Sequence, residues 1–302
     1  MDLFVIDKMQ SAAVRRLVAF FSLVLLVLSV VALGNQPEFK AGGSRSGLGN
    51  RRDPANERGR VPIVPPEVQE PPEPRQPSEL TGVQVLSGGR PPNAKPPKPG
   101  RYRYRFTLRE SERGQQSEQT LEMVMSVTAV STSDSETRLT YTIIAAGASP
   151  LKYEVLWTSS EMLHLRWYSD GDNGFNCDWD PDLLQLKLPF DRSSEWNLRT
   201  LCDGTAGGRR QRIDNEEVGK VTDAVRTLVG GTAIEGWRLE RNSKLTSTSD
   251  GDPETQIHTK TEVFSPAHGL IVKSIARVTG TSPGGSPTER EEITELLSLD
   301  PS

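Results

Sequence analysis

Cysteine and histidine are scarce: two cysteines and three histidines in 302 residues limit the chemistry before any motif is sought. Cys177 and Cys202 stand too far apart for a Cys-x-x-Cys redox motif, and neither lies near the start of a mature chain, where a lipoprotein anchor needs one. His164, His258 and His268 offer few catalytic bases, and no Gly-x-Ser-x-Gly nucleophile elbow is present. An excess of one charge is also missing. A formal net charge of −4 gives no global attraction to nucleic acid, so none is expected as a partner. Helical periodicity is absent except for a weak trace over Glu289 to Leu299. Nothing points to a catalytic centre or a cofactor.

What is present begins with the uncharged run Leu17 to Leu33, LVAFFSLVLLVLSVVAL, preceded by Arg15 and Arg16. At about 1.5 Å per residue this run just reaches across a hydrocarbon core of roughly 30 Å, so it reads either as a signal peptide or as a single-span anchor. Ala32 and Gly34 are small residues where a signal peptidase reads, which sets the cleavage point before Asn35. Residues 1–34 therefore deliver the rest of the chain across a membrane. Residues 35–99 hold fourteen of the chain's 22 prolines. Such a stretch loses backbone donors and favours an extended, solvated, disordered spacer. Val83 to Leu86 is a brief apolar island within it.

The character changes at Gly100. Arg101 to Arg109 alternates apolar and polar residues, the period of a half-buried strand. The alternation returns in Leu121 to Val130, Arg138 to Ala145, Leu151 to Trp157 and Met162 to Tyr168, with further candidates as far as Glu291 to Leu297. Residues 100–299 are thus expected to form a mainly β domain: a large curved antiparallel sheet closed as a barrel, open as a half-barrel or folded as a sandwich. Tyr102, Tyr104, Phe106, Tyr141, Tyr153, Trp157, Trp167 and Trp237 fall on the apolar phase and are assigned to the core. Leu163, Leu165 and Trp167 share one phase, which predicts an exposed His164.

The candidate sites are few. Export places the two cysteines in an oxidising compartment, where a Cys177–Cys202 disulfide is expected. Asp170, Asp172, Asp178 and Asp180 have the oxygen ligands that calcium selects, but their spacing matches no calcium loop and reads as a solvated turn, so no metal is expected. The same acidic stretch, 170–182, would supply the carboxylates if the domain were an envelope hydrolase. Gly204, Gly207 and Gly208 followed by Arg209, Arg210 and Arg212 read as a flexible basic loop.

The segment Val263 to Lys273, VFSPAHGLIVK, is similar to the strand-turn-strand signature aromatic-x-Pro-x-x-Gly-Leu-Val of uncharacterised secreted bacterial β-domain families. Leu186 to Pro189 followed by Trp196 resembles a second element of those families, with Ser194 or Glu195 where a glycine is usual. More distantly, residues 100 to 299 resemble the half-barrel lipoprotein-carrier proteins, whose curved sheets cradle acyl chains. The resemblance implies a non-enzymatic protein of the bacterial envelope, secreted or anchored by residues 17–33, that holds a lipid or another apolar ligand or contacts an envelope component. It transfers no functional residue.

Overall fold

The computed structural model describes residues 79–302 apart from 89–90, 113–114, 147, 170–173, 192–193, 207, 250–252 and 282–286. The hydrophobic run at Leu17 to Leu33 and the spacer as far as residue 78 lie outside the described residues. The strands are β1 (Gln84–Val85), β2 (Gly100–Glu112), β3 (Gln115–Thr132), β4 (Glu136–Ala145), β5 (Leu151–Thr158), β6 (Glu161–Ser169) and β7 (Phe175–Lys187), followed by β8 (Glu195–Ala206), β9 (Arg209–Val229), β10 (Thr232–Ser249), β11 (Glu254–Ser265), β12 (Leu270–Thr281) and β13 (Pro287–Leu296).

From β2 onward every strand pairs antiparallel with its successor, and β13 returns to β2 from Leu296↔Tyr104 to Glu289↔Ser111. The sheet is therefore a closed 12-strand barrel. Closure also explains the one helical trace in the sequence. Glu289 to Leu296 lies between β12 and β2, pairs with both and forms strand β13, with Glu292 and Leu296 buried. The glycine- and arginine-rich stretch at 204–212 is likewise a hairpin, in which β8 meets β9 and Arg210 pairs with Asp203 at 2.6 Å.

The period-two pattern sorts the side chains onto two surfaces. All eight aromatic residues assigned to the core are buried. The outer wall carries cross-strand ion pairs, including Arg103–Glu122 at 2.6 Å, Arg109–Glu291 at 2.9 Å, Arg199–Asp214 at 2.6 Å and Lys220–Glu240 at 3.0 Å. Pairs this exposed each add little stability, but together they make the outside hydrophilic. A membrane-spanning barrel needs an outward apolar band about 25 Å tall. The exposed large apolar residues among the described ones, Val85, Val130, Ile144, Val218, Leu228 and Ile257, are scattered over five strands.

The last part of the spacer is packed against the barrel. Leu80, Val83 and Leu86 contact the core, β1 pairs with Val225 and Arg226 of β9, and Lys95 N–H donates to the Pro266 carbonyl at 3.2 Å. This arm crosses the β11–β12 turn, and its passage explains the glycine of the VFSPAHGLIVK signature. Gly269 has φ of +67°, and a Cβ there would lie 2.3 Å from the Lys95 carbonyl oxygen. Only glycine meets both demands.

Cys177 on β7 and Cys202 on β8 are joined in a disulfide, with Cα atoms 5.6 Å apart and both residues fully buried. Closing that 25-residue separation is worth about 3 kcal/mol in the chain-entropy picture. Beyond Asp180 the two strands part, because the β7–β8 pairing runs only from Phe175↔Ala206 to Asp180↔Leu201. Phe190, in the connection between them, fills the interior there, 5.3 Å from the Phe264 ring.

Candidate functional site

The barrel interior holds a cavity of about 230 Å³, partly open to solvent. Its walls come from two arcs of the sheet with opposite chemistry. β2 to β6 present Tyr104, Phe106, Met123, Tyr141, Tyr153 and Trp167, an aromatic and thioether surface. β11 and β13 present Lys260, Glu262 and Glu292.

The charged side continues behind the cavity as a buried network. Arg241 of β10, 5% exposed, holds Glu217 of β9 at 2.9 Å and Glu262 at 2.8 Å. Lys260 Nζ lies 2.5 Å from Glu262 Oε1, and Arg290 Nε lies 2.6 Å from Glu292 Oε1. Trp196 Nε1–H donates to Glu217 at 3.1 Å, while the Arg241 guanidinium sits 5.0 Å over the Trp196 ring. Gly219 makes room for that indole, since a Cβ there would come within 2.1 Å of it. Arg241 Nη2 also donates to the backbone carbonyl of Gln185, which lies where β7 has left β8 and bulges against β6. One arginine thus spans the interior and satisfies a carbonyl that the ladder leaves open.

Environment fixes the protonation of these groups. Burial pushes the Glu262 carboxyl up, but Lys260 and Arg241 outweigh it and hold it below the usual carboxylate range. Burial, helped by Arg241 and Lys260, brings His164 down to about 3. His258 is held well below its usual value by burial, then by Arg290 and Lys260. Burial raises the phenols of Tyr104, Tyr141 and Tyr153. At neutral pH the cavity therefore meets the neutral imidazole of His164, neutral phenols and an ionised Glu262.

His164 is the site residue that the sequence places on the wrong face. A β-bulge between His164 and Arg166 breaks the alternation, so Met162, His164 and Trp167 point inward while Leu163 and Leu165 are only half-buried. Trp167 Nε1–H donates to His164 Nδ1 at 2.9 Å. His268 stays in the turn, with Nδ1 2.9 Å from the Ser265 hydroxyl.

Among its described residues the acidic stretch gathers no site. Asp178 and Asp180 are exposed on the outer wall of β7, with Asp178 3.2 Å from Arg166, and Asp170 and Asp172 lie outside the described residues. Among the described residues no group of three or more His, Cys, Asp or Glu is placed to hold a metal ion. The hydrolase reading required carboxylates converging in a cleft. Asp178, Asp180 and Asp182 are exposed instead.

No family model and no curated protein matches the chain. Two solved structures resemble it. One is a protein designated a lipoprotein from Parabacteroides distasonis, 13% identical with a TM-score of 0.40, the alignment covering 67% of this chain and 96% of that one. The other is the hypothetical lipoprotein YmcC of Escherichia coli, 12% identical with a TM-score of 0.31 over 67% of this chain and 86% of that one.

Proposed function

We propose that this protein is a non-enzymatic extracytoplasmic binding module of the bacterial envelope, in which the barrel holds a small apolar molecule. The observation that carries this reading is the cavity of about 230 Å³ lined on one side by tyrosine, phenylalanine, methionine and tryptophan. It is larger than the roughly 150 Å³ apolar cavity that takes up benzene, and smaller than the ~300–1,000 Å³ typical of sites for drug-sized ligands. The ligand is therefore one ring with a short chain, or one end of an acyl chain, rather than an entire phospholipid. Export is supported by the run Leu17 to Leu33 and by a buried disulfide, which persists in an oxidising compartment. The hydrophilic outer wall favours a barrel that works in water, secreted or tethered by residues 17–33, over one embedded in lipid.

The test is 19F NMR of 4-fluorotoluene titrated into the chain from Asn35 onward. Saturable binding is expected, and it is lost in Ala276→Phe, which sends a benzyl group into the cavity from β12. A probe signal that shows no saturable binding to the unsubstituted chain overturns the proposal.

A further inference from the structure

We infer that the molecule held in this cavity is uncharged and carries an accepting oxygen, such as the carbonyl of an ester, amide or ketone, bound by the Tyr153 hydroxyl and His164 Nε2–H. The inference rests on the binding reading above and specifies its ligand class. Because Trp167 donates to His164 Nδ1, that nitrogen is the acceptor and the ring proton sits on Nε2. Tyr153 stands beside it, with ring centroids 5.4 Å apart. Both side chains are more than nine-tenths buried, and both line the cavity. Neither the Tyr153 hydroxyl nor His164 Nε2 has a hydrogen-bond partner among the described residues, and both side chains stand in the cavity wall. An oxygen brought by the ligand would satisfy them, and its apolar remainder would meet Phe106, Met123 and Tyr141.

Charge accounting removes the alternatives. The three cations of the charged side, Arg241, Lys260 and Arg290, are matched by the three carboxylates Glu217, Glu262 and Glu292. A carboxylate head would enter with no counter-charge to spare and would face Glu262 and Glu292. An ammonium head would face Lys260. Either ion leaves water without compensation, whereas a neutral acceptor loses little.

The experiment is competition against bound 4-fluorotoluene at pH 7.5 by four seven-carbon molecules: 2-heptanone, heptanoate, heptylamine and heptane. We expect 2-heptanone to bind at least tenfold more tightly than either ion. Tyr153→Phe should weaken 2-heptanone about tenfold, the worth of one hydrogen bond, while leaving the affinities for 4-fluorotoluene and heptane unchanged. In the unsubstituted chain, 2-heptanone and not heptane should shift the His164 Nε2–H resonance. Tighter binding of heptanoate or heptylamine, or an unchanged 2-heptanone affinity in Tyr153→Phe, overturns the ligand class and leaves the cavity reading standing. Failure of 4-fluorotoluene itself to bind overturns both.

Discussion

The two arcs of the barrel solve the problem of an interior in different ways. From β2 to β6 the inward phase is filled with Tyr, Phe, Leu, Met and Trp, and stability there comes from area withdrawn from water. From β9 to β11 the inward phase carries Gln211, Asn215, Glu217, Arg241, Ser243, His258 and Glu262, and β13 adds Glu292. Those residues are buried no less deeply, and much of that arc is held by matched charge. Side chains tied into ion pairs cannot slide forward to fill space against the opposite wall. The difference accounts for a cavity that persists along this seam, with its charged lining confined to β11 and β13.

The comparison breaks most visibly at Arg241. Arg241→Met leaves Glu217 and Glu262 buried without their shared cation and strands the Gln185 carbonyl, so it should cost about 3–5 kcal/mol in chemical denaturation. Replacing Glu217 and Glu262 by Leu in the same chain should restore most of that loss. On the apolar side Trp157→Ala should cost a similar ~3–5 kcal/mol, with no comparable rescue by a second substitution.

Acid should weaken both arcs next. His164 and His258 are buried neutral, so the unfolded chain takes up their protons as pH falls below about 6.5 while the folded chain does not. Their contribution is therefore full above that pH and declines toward pH 3. Glu262, held low by Lys260 and Arg241, adds to the loss in the same direction once pH passes below the usual carboxylate range. Denaturation midpoints measured between pH 7 and pH 3.5 should fall steadily, with a total effect on the order of a few kcal/mol. A flat profile would contradict the assignment of neutral buried imidazoles.

Reducing the Cys177–Cys202 bond, or replacing both residues by Ala, should cost about 3 kcal/mol in the denaturation midpoint. The smallest effect belongs to Tyr153→Phe. Its hydroxyl has no partner among the described residues, so stability should stay within about 0.5 kcal/mol of the parent. A loss above 1 kcal/mol would show that the hydroxyl is bonded within the protein.

The same contrast between arcs governs how much the sequence reveals. Strands β2 to β6 are legible because their inward residues are apolar and alternate with polar ones. β9 spans Arg209–Val229, yet only Ala224 to Val229 stands out, since Gln211, Asn215 and Glu217 occupy inward positions that a hydrophobic pattern cannot mark. The candidate site is harder still. Arg241 shares its phase with Trp237, Leu239 and Leu245, and Glu262 shares its phase with Phe264; a charge in the apolar phase is the signal that locates the network. No comparable signal marks His164, because its inward direction depends on a bulge, and a bulge is fixed by pairing with β7 rather than by local sequence. The arm at residues 79–99 is recognisable only in Val83 to Leu86, and the proline pattern around it reads as solvated spacer.

The central claim is that the barrel carries an uncharged apolar molecule, and the direct measurement is mass spectrometry of what an organic extract removes from the chain purified out of its own host. The account predicts one neutral species, near one per chain, with an ester, amide or ketone oxygen and a size matched to about 230 Å³. An extract containing only a charged lipid, or a chain that proves empty, would contradict it.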